Sequence, residues 1–190
     1  MKTNINLRDM MLAGVFAAIL SVSAIFKIPL PFSPVPITLQ SFIVILMGLT
    51  LTTLPAMLGV TTYILLGLIG LPVFAGGNYG PGALLGKSGG YIIGFLAAVI
   101  VITLIRNNSN NILRMSIAGF TGGILTVYTI GMLWLSHVAH LTLGEAFVPG
   151  VLLFIPGDLF KLFAAVVVAG AVNRQLARQN VGRATYENLD

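Results

Sequence analysis

At 190 residues the chain has the length of one soluble domain, yet 57% of it is hydrophobic and only 8% is charged. Soluble chains carry roughly a quarter charged residues, so ten basic and five acidic side chains cannot solvate such a body, and disorder is excluded by the wealth of apolar residues. The net charge of +5 lies at the ends of apolar runs, which points to membrane orientation rather than nucleic acid, and the lack of cysteine excludes disulfides, Fe–S clusters and thiolate zinc sites.

A helix needs about 20 mostly apolar residues to cross the hydrocarbon. Six segments qualify, at roughly 9–27, 37–53, 54–71, 89–106, 112–135 and 150–173. Membrane strands would alternate in polarity instead, so residues 1–190 read as one all-α membrane domain of six transmembrane helices. The first span contains Ala13-Gly14-Val15-Phe16-Ala17-Ala18, with small residues four apart at 13/17 and again at 14/18, a smooth stripe for another helix. Lys2, Arg8 and the later Ser21-Val22-Ser23-Ala24 also resemble a cleavable signal peptide. Asp9 sits poorly in such a segment, and cleavage would spoil the charge asymmetry described below, so the stretch is read as a true helix.

Next comes Ile28 to Gln40, with Pro29, Pro31, Pro34 and Pro36 making it stiff and extended. Thr38 and Gln40 head the second span. Only Thr52, Thr53 and Pro55 separate the second and third spans, a tight hairpin with proline in the first turn of the new helix. Leu71 to Gly90 forms a second long loop centred on Gly76-Gly77-Asn78-Tyr79-Gly80-Pro81-Gly82. Loops this long and patterned over a helical bundle suit a lid or binding mouth. With a cytoplasmic N-terminus, the inner side holds Lys2, Arg8, Arg106, Arg114, Arg174, Arg178 and Arg183, against Lys27 and Lys87 outside. That bias places both termini in the cytoplasm.

The most informative polar residues are Asp158 and Lys161, which lie one to two turns into the last apolar run and share a helical face. Ionisable groups at that depth are expensive and usually face a polar cavity. They can form a self-neutralising structural pair or the polar end-wall of an apolar pocket, in which the carboxylate accepts N–H bonds and the ammonium donates to a carbonyl or carboxylate. Gly86-Lys87-Ser88-Gly89-Gly90 satisfies G-x-S-x-G but lacks the preceding strand. A rival from another class is an intramembrane serine protease with Ser88 as nucleophile. His137 and His140, read as a loop after the fifth span, give it no obvious base. The same residues miss the P-loop spacing, so no nucleotide site is expected. Gly89, Gly90 and Gly94 suit close helix packing, and Tyr91 offers a flat ring with a polar tip at a cavity rim, or an interfacial aromatic.

Taken together, these residues resemble the BioY family, the biotin-specific substrate-binding (S) components of energy-coupling-factor transporters. The markers are Pro34-Val35-Pro36-Ile37-Thr38-Leu39-Gln40, Gly70-Leu71-Pro72-Val73-Phe74-Ala75-Gly76-Gly77, Gly80 to Gly86 followed by Gly89-Gly90-Tyr91-Ile92-Ile93-Gly94-Phe95, and Pro156-Gly157-Asp158-Leu159-Phe160-Lys161. Lys87-Ser88 departs from the Pro-Thr expected there. The resemblance implies a six-helix S-component fold in a bacterial cell membrane, with biotin bound near the outer face and no cofactor. It also implies partners: a transmembrane coupling subunit docking on Ala13 and Ala17, and two cytosolic ATPases. Biotin has a ureido head, an apolar fused ring and a valerate tail. Asp158 would accept a ureido N–H, Asn78 would add a polar contact, and Lys161 would bond the ureido carbonyl or the carboxylate. Tyr91, Gln40 and the Gly76-Gly77 backbone would line the cavity. Binding without chemical conversion is the expectation, with another vitamin as the alternative substrate.

Overall fold

The computed structural model describes residues 7–187, with side chains described for residues 7–175. Of the inner-side charges, Lys2 and the side chains of Arg178 and Arg183 lie outside the described residues. In chain order the elements are α1 (Leu7–Ser23), a hairpin of β1 (Lys27–Leu30) and β2 (Ser33–Thr38), α2 (Gln40–Thr50), α3 (Thr53–Leu68), the short α4 (Pro81–Leu85) and α5 (Gly89–Arg106). A long rod follows, made of α6 (Ile112–Ala118), a π-helical segment (Gly119–Thr126) and α7 (Val127–Ala139). The short α8 (Leu143–Phe147), a second π segment (Val148–Leu152) and α9 (Ile155–Glu187) complete it.

Among the described residues three helical stretches, Gly89–Arg106, Ile112–Ala139 and Ile155–Gln175, are long and apolar enough to cross a membrane by length and composition. α2 is shorter than its apolar run of 37–53: its 11 residues rise only about 16 Å, because residues 37 and 38 belong to β2 and residues 51 and 52 to the turn before α3. The all-α expectation therefore needs correcting at this hairpin. Lys27 pairs with Thr38, Ile28 with Ile37 and Leu30 with Ser33 in antiparallel register, with an irregularity between Ile28 and Leu30. Proline lacks a donor but keeps an extended φ, and a two-stranded ribbon has only edge strands, where proline is tolerated.

α1 lies against α3, α2 against α9 and α5, and α5 against both α3 and α7. The α5–α7 approach depends on missing side chains: a Cβ on Gly90 would fall 2.2 Å from Trp134, and one on Gly131 would fall 2.4 Å from the Tyr91 ring. Ile45, Met47, Val60, Val99, Ile102 and Leu135 are fully enclosed, while Phe160, Phe163 and Leu104 are 73%, 68% and 64% exposed. Large apolar side chains on the outside suit lipid as the surrounding solvent.

α1 is apolar all round, so sequence fixes its rotation poorly. Ala13 and Ala17 prove to be buried within the chain, and a Cβ on Gly59 of α3 would stand 3.1 Å from the Ala13 carbonyl. The outward small residues are Gly14 and Ala18. At the opposite end of the bundle from the hairpin, the buried Arg106 guanidinium donates to the Leu49 and Leu51 carbonyls. Asn173 of α9 donates to the same Leu49 carbonyl at 3.0 Å. These bonds satisfy acceptors that the end of α2 leaves open, and a cation there complements the helix dipole.

Candidate functional site

Two adjoining cavities open at the hairpin end. The inner one, about 60 Å³, is walled by β2 (Val35, Pro36), α2 (Gln40, Ser41), α5 (Tyr91, Phe95), α7 (Tyr128) and α9 (Asp158, Lys161). The outer vestibule, about 620 Å³, lies between the hairpin and the 74–88 segment. Pro36, Ala75, Ser88 and Ile92 line both. Ligand pockets typically measure about 300–1,000 Å³, so the vestibule has the size of a ligand site and the inner cavity is a narrow cleft at its base.

α9 brings the ion pair to that cleft. Pro156 and Gly157 stand in its first turn, and Asp158 and Lys161, one turn apart, both face inward. The Lys161 ammonium lies 2.7 Å from Asp158 Oδ1. It also donates to the Thr38 carbonyl at 2.6 Å and to Ser41 Oγ at 3.0 Å. Ser41 Oγ donates in turn to Asp158 Oδ1 at 3.0 Å, and the Tyr128 hydroxyl donates to Oδ2 at 2.7 Å. An ammonium has three donors, and all three are used. A carboxylate has about four acceptor positions; three donors occupy this one, leaving room on Oδ2. The pair therefore grips itself, but it also grips α2, β2 and α7, and it lines a cavity rather than facing lipid.

The other expected residues divide by position. Gln40 is buried in the cleft and donates to the Tyr63 hydroxyl at 2.6 Å. Tyr91 lines the cleft too, but its hydroxyl is tied to the Gly150 carbonyl at 2.7 Å, so the ring rather than the polar tip is on offer. Asn78 lines the vestibule, with its amide N–H turned back to the Ala75 carbonyl at 2.9 Å. Gly76 and Gly77 line neither cavity. With φ of +78° and +79° they form the turn between Phe74 and Asn78, whose backbones bridge, and so they shape the mouth without walling it. Gly90 and Gly94 do pack on α7, whereas Gly89 closes on the Leu84 carbonyl.

Ser41 and Tyr128 went unrecognised in the sequence. A tyrosine or serine in an apolar run looks like packing, and only their depth in a span hints at a polar partner. Ser88 lines both cavities, but no histidine does. His137 belongs to the last turn of α7 and His140 caps it, rather than lying in a loop.

The sequence model of the BioY family matches residues 1–178. A probable biotin transporter BioY of Pyrococcus horikoshii is 38% identical over 162 residues, covering 85% of this chain and 94% of that protein. The biotin transporters BioY of Thermotoga maritima and Rhodobacter capsulatus are 36% and 39% identical, covering 86% and 90% of this chain and 94% of each relative. Among solved structures, the crystal structure of the S-component for biotin from an ECF-type ABC transporter superposes with a TM-score of 0.84 at 30% identity, covering 92% of this chain and 95% of that one.

Proposed function

The chain belongs to the BioY family, and from that membership and its cavity we propose that it captures biotin as the S component of an energy-coupling-factor transporter in a bacterial cell membrane. The supporting observation is the cleft's polar base: one carboxylate with an acceptor position left on Oδ2, held by Tyr128, Ser41 and Lys161 in otherwise mostly apolar walls. Biotin's ureido head offers an N–H to that position, and its fused ring stacks beside Tyr91 and Phe95. Lys161 has no free N–H, so it acts by holding the carboxylate in place. The cleft must widen to admit the ring. The walls best placed to move are on the hairpin and the 74–78 turn, since the others belong to packed helices.

In this reading α1, α2, α3, α5, the α6–α7 rod and α9 cross the bilayer, with both termini cytoplasmic and the cavities open to the outside. Ser88 then lines a binding path, and the protease reading is set aside because the family is one of transport proteins. A transmembrane coupling subunit and two cytosolic ATPases supply the energy. The coupling subunit meets α1 on its open face, which carries Gly14 and Ala18 instead of the internally packed Ala13 and Ala17.

A thermal-shift panel of vitamins on the detergent-purified chain tests this. Biotin at about 100 times its Kd should add about 2.7 kcal/mol of stability by mass action, and Asp158→Asn should abolish the shift. A shift with riboflavin or thiamine but none with biotin would reassign the substrate and leave the transport class intact.

A further inference from the structure

Resting on the biotin-binding reading, we infer that Lys27 and Lys87 form a cationic rim in the vestibule that holds the ligand's carboxylate tail while its head sits at Asp158. The inner cleft cannot take that carboxylate. Its only ammonium has its three N–H groups on Thr38, Ser41 and Asp158, and a second carboxylate beside Asp158 would face like-charge repulsion in a mostly apolar enclosure.

The vestibule has the opposite character. Lys27 and Lys87 both line it, and no carboxylate does. Among the described residues neither lysine ammonium has a hydrogen bond or an ion pair. Glu145 does not compensate them, since its carboxylate is turned onto the Thr142 backbone N–H and hydroxyl in a capping box.

Lys27 is also seated. A Cβ on Gly76 would fall 2.2 Å from its Nζ and under 3 Å from Cδ and Cε. The lysine stem therefore lies across a backbone that only glycine leaves open, which accounts for Gly76 better than a wall contact does. On the facing side Lys87 stands between Gly86 and Ser88 in the turn joining α4 to α5, and Ser88 reaches the cleft as well. Pro34, Pro36, Phe74 and Ile92 form an apolar stretch of vestibule wall suited to a methylene chain. A ligand with a hydrogen-bonding head, a short aliphatic linker and a terminal carboxylate matches the sequence of surfaces from Asp158 outward. Lys87 stands where the family resemblance predicts an uncharged residue, so this part of the rim is a property of this chain.

Isothermal titration of the detergent-purified full chain with biotin, biotin methyl ester and biotin amide tests the rim. The wild type should prefer biotin over both neutral forms by about tenfold, and the preference should shrink as salt rises. The Lys27→Gln/Lys87→Gln double variant should bind biotin about tenfold more weakly and the ester unchanged. Lys27→Arg/Lys87→Arg should retain the preference. Retention of the preference in the glutamine variant, or equal loss for acid and ester, overturns the rim. Equal wild-type affinity for acid and ester overturns it too while leaving the biotin reading in place. Wild-type binding of none of the three removes that reading itself.

Discussion

Among the described residues, the partly buried Lys161 and the buried Arg106 keep different company. Lys161 lies beside a carboxylate, shares it with Tyr128 and Ser41, and borders a cavity. Among the described residues Arg106, at the other end of the bundle, has no carboxylate against it; it donates to carbonyls at the end of α2, and its Nε is the only buried side-chain polar atom there without a partner. A cation that closes a helix end serves the scaffold, since its acceptors would be orphaned without it. In the reading proposed above, a cation that orients an anion toward open space serves a guest. Burial alone does not separate these roles; the partner's remaining capacity and the neighbouring void do.

Replacing Asp158 with Ala should have the largest effect. It leaves the Lys161 ammonium uncompensated, at a cost of about 3–5 kcal/mol, and abolishes biotin binding. The double change Asp158→Leu with Lys161→Met should recover most of the thermal stability, since an apolar pair of similar volume often replaces a buried ion pair without loss. It should not recover binding, and recovery of both in a biotin-titrated melt would erase the distinction from Arg106. Arg106→Met comes next: it should cost about 1.5–3 kcal/mol through lost charged hydrogen bonds, with biotin affinity unchanged by titration calorimetry. Tyr128→Phe should cost about 1 kcal/mol and weaken biotin several-fold, because Oδ2 loses the donor that aims it. Ser88→Ala should leave both melting temperature and affinity close to wild type.

Asp158 and Lys161 were legible in the sequence because ionisable groups inside an apolar run have few explanations. Gln40 was legible from its place at the head of a span. Tyr128 was not, because its partner is 30 residues away and only the fold joins them. The prolines of residues 29–36 signalled extension, but strand pairing depends on what lies opposite. For α1, with apolar residues on every side, the choice between 13/17 and 14/18 as the outward pair had no pattern to rest on. Gly76 and Gly77 were recognised as special, yet a wall, a turn and a seat for a lysine stem all require glycine for different reasons, and composition does not distinguish them.

The π-helical stretch Gly119–Thr126 touches neither cavity, yet it ends one residue before Val127 and two before Tyr128. Its wider winding is visible where Thr126 Oγ1 reaches back five residues to the Thr121 carbonyl at 2.9 Å. A π turn accommodates an additional residue relative to an α turn. Deleting one codon here would let the rod relax to ordinary winding and swing everything beyond by about 100°, carrying the phenol that aims Asp158 off its target. The geometry of the cleft thus depends on residue count, and not only on residue identity, along a piece of chain that lines neither cavity.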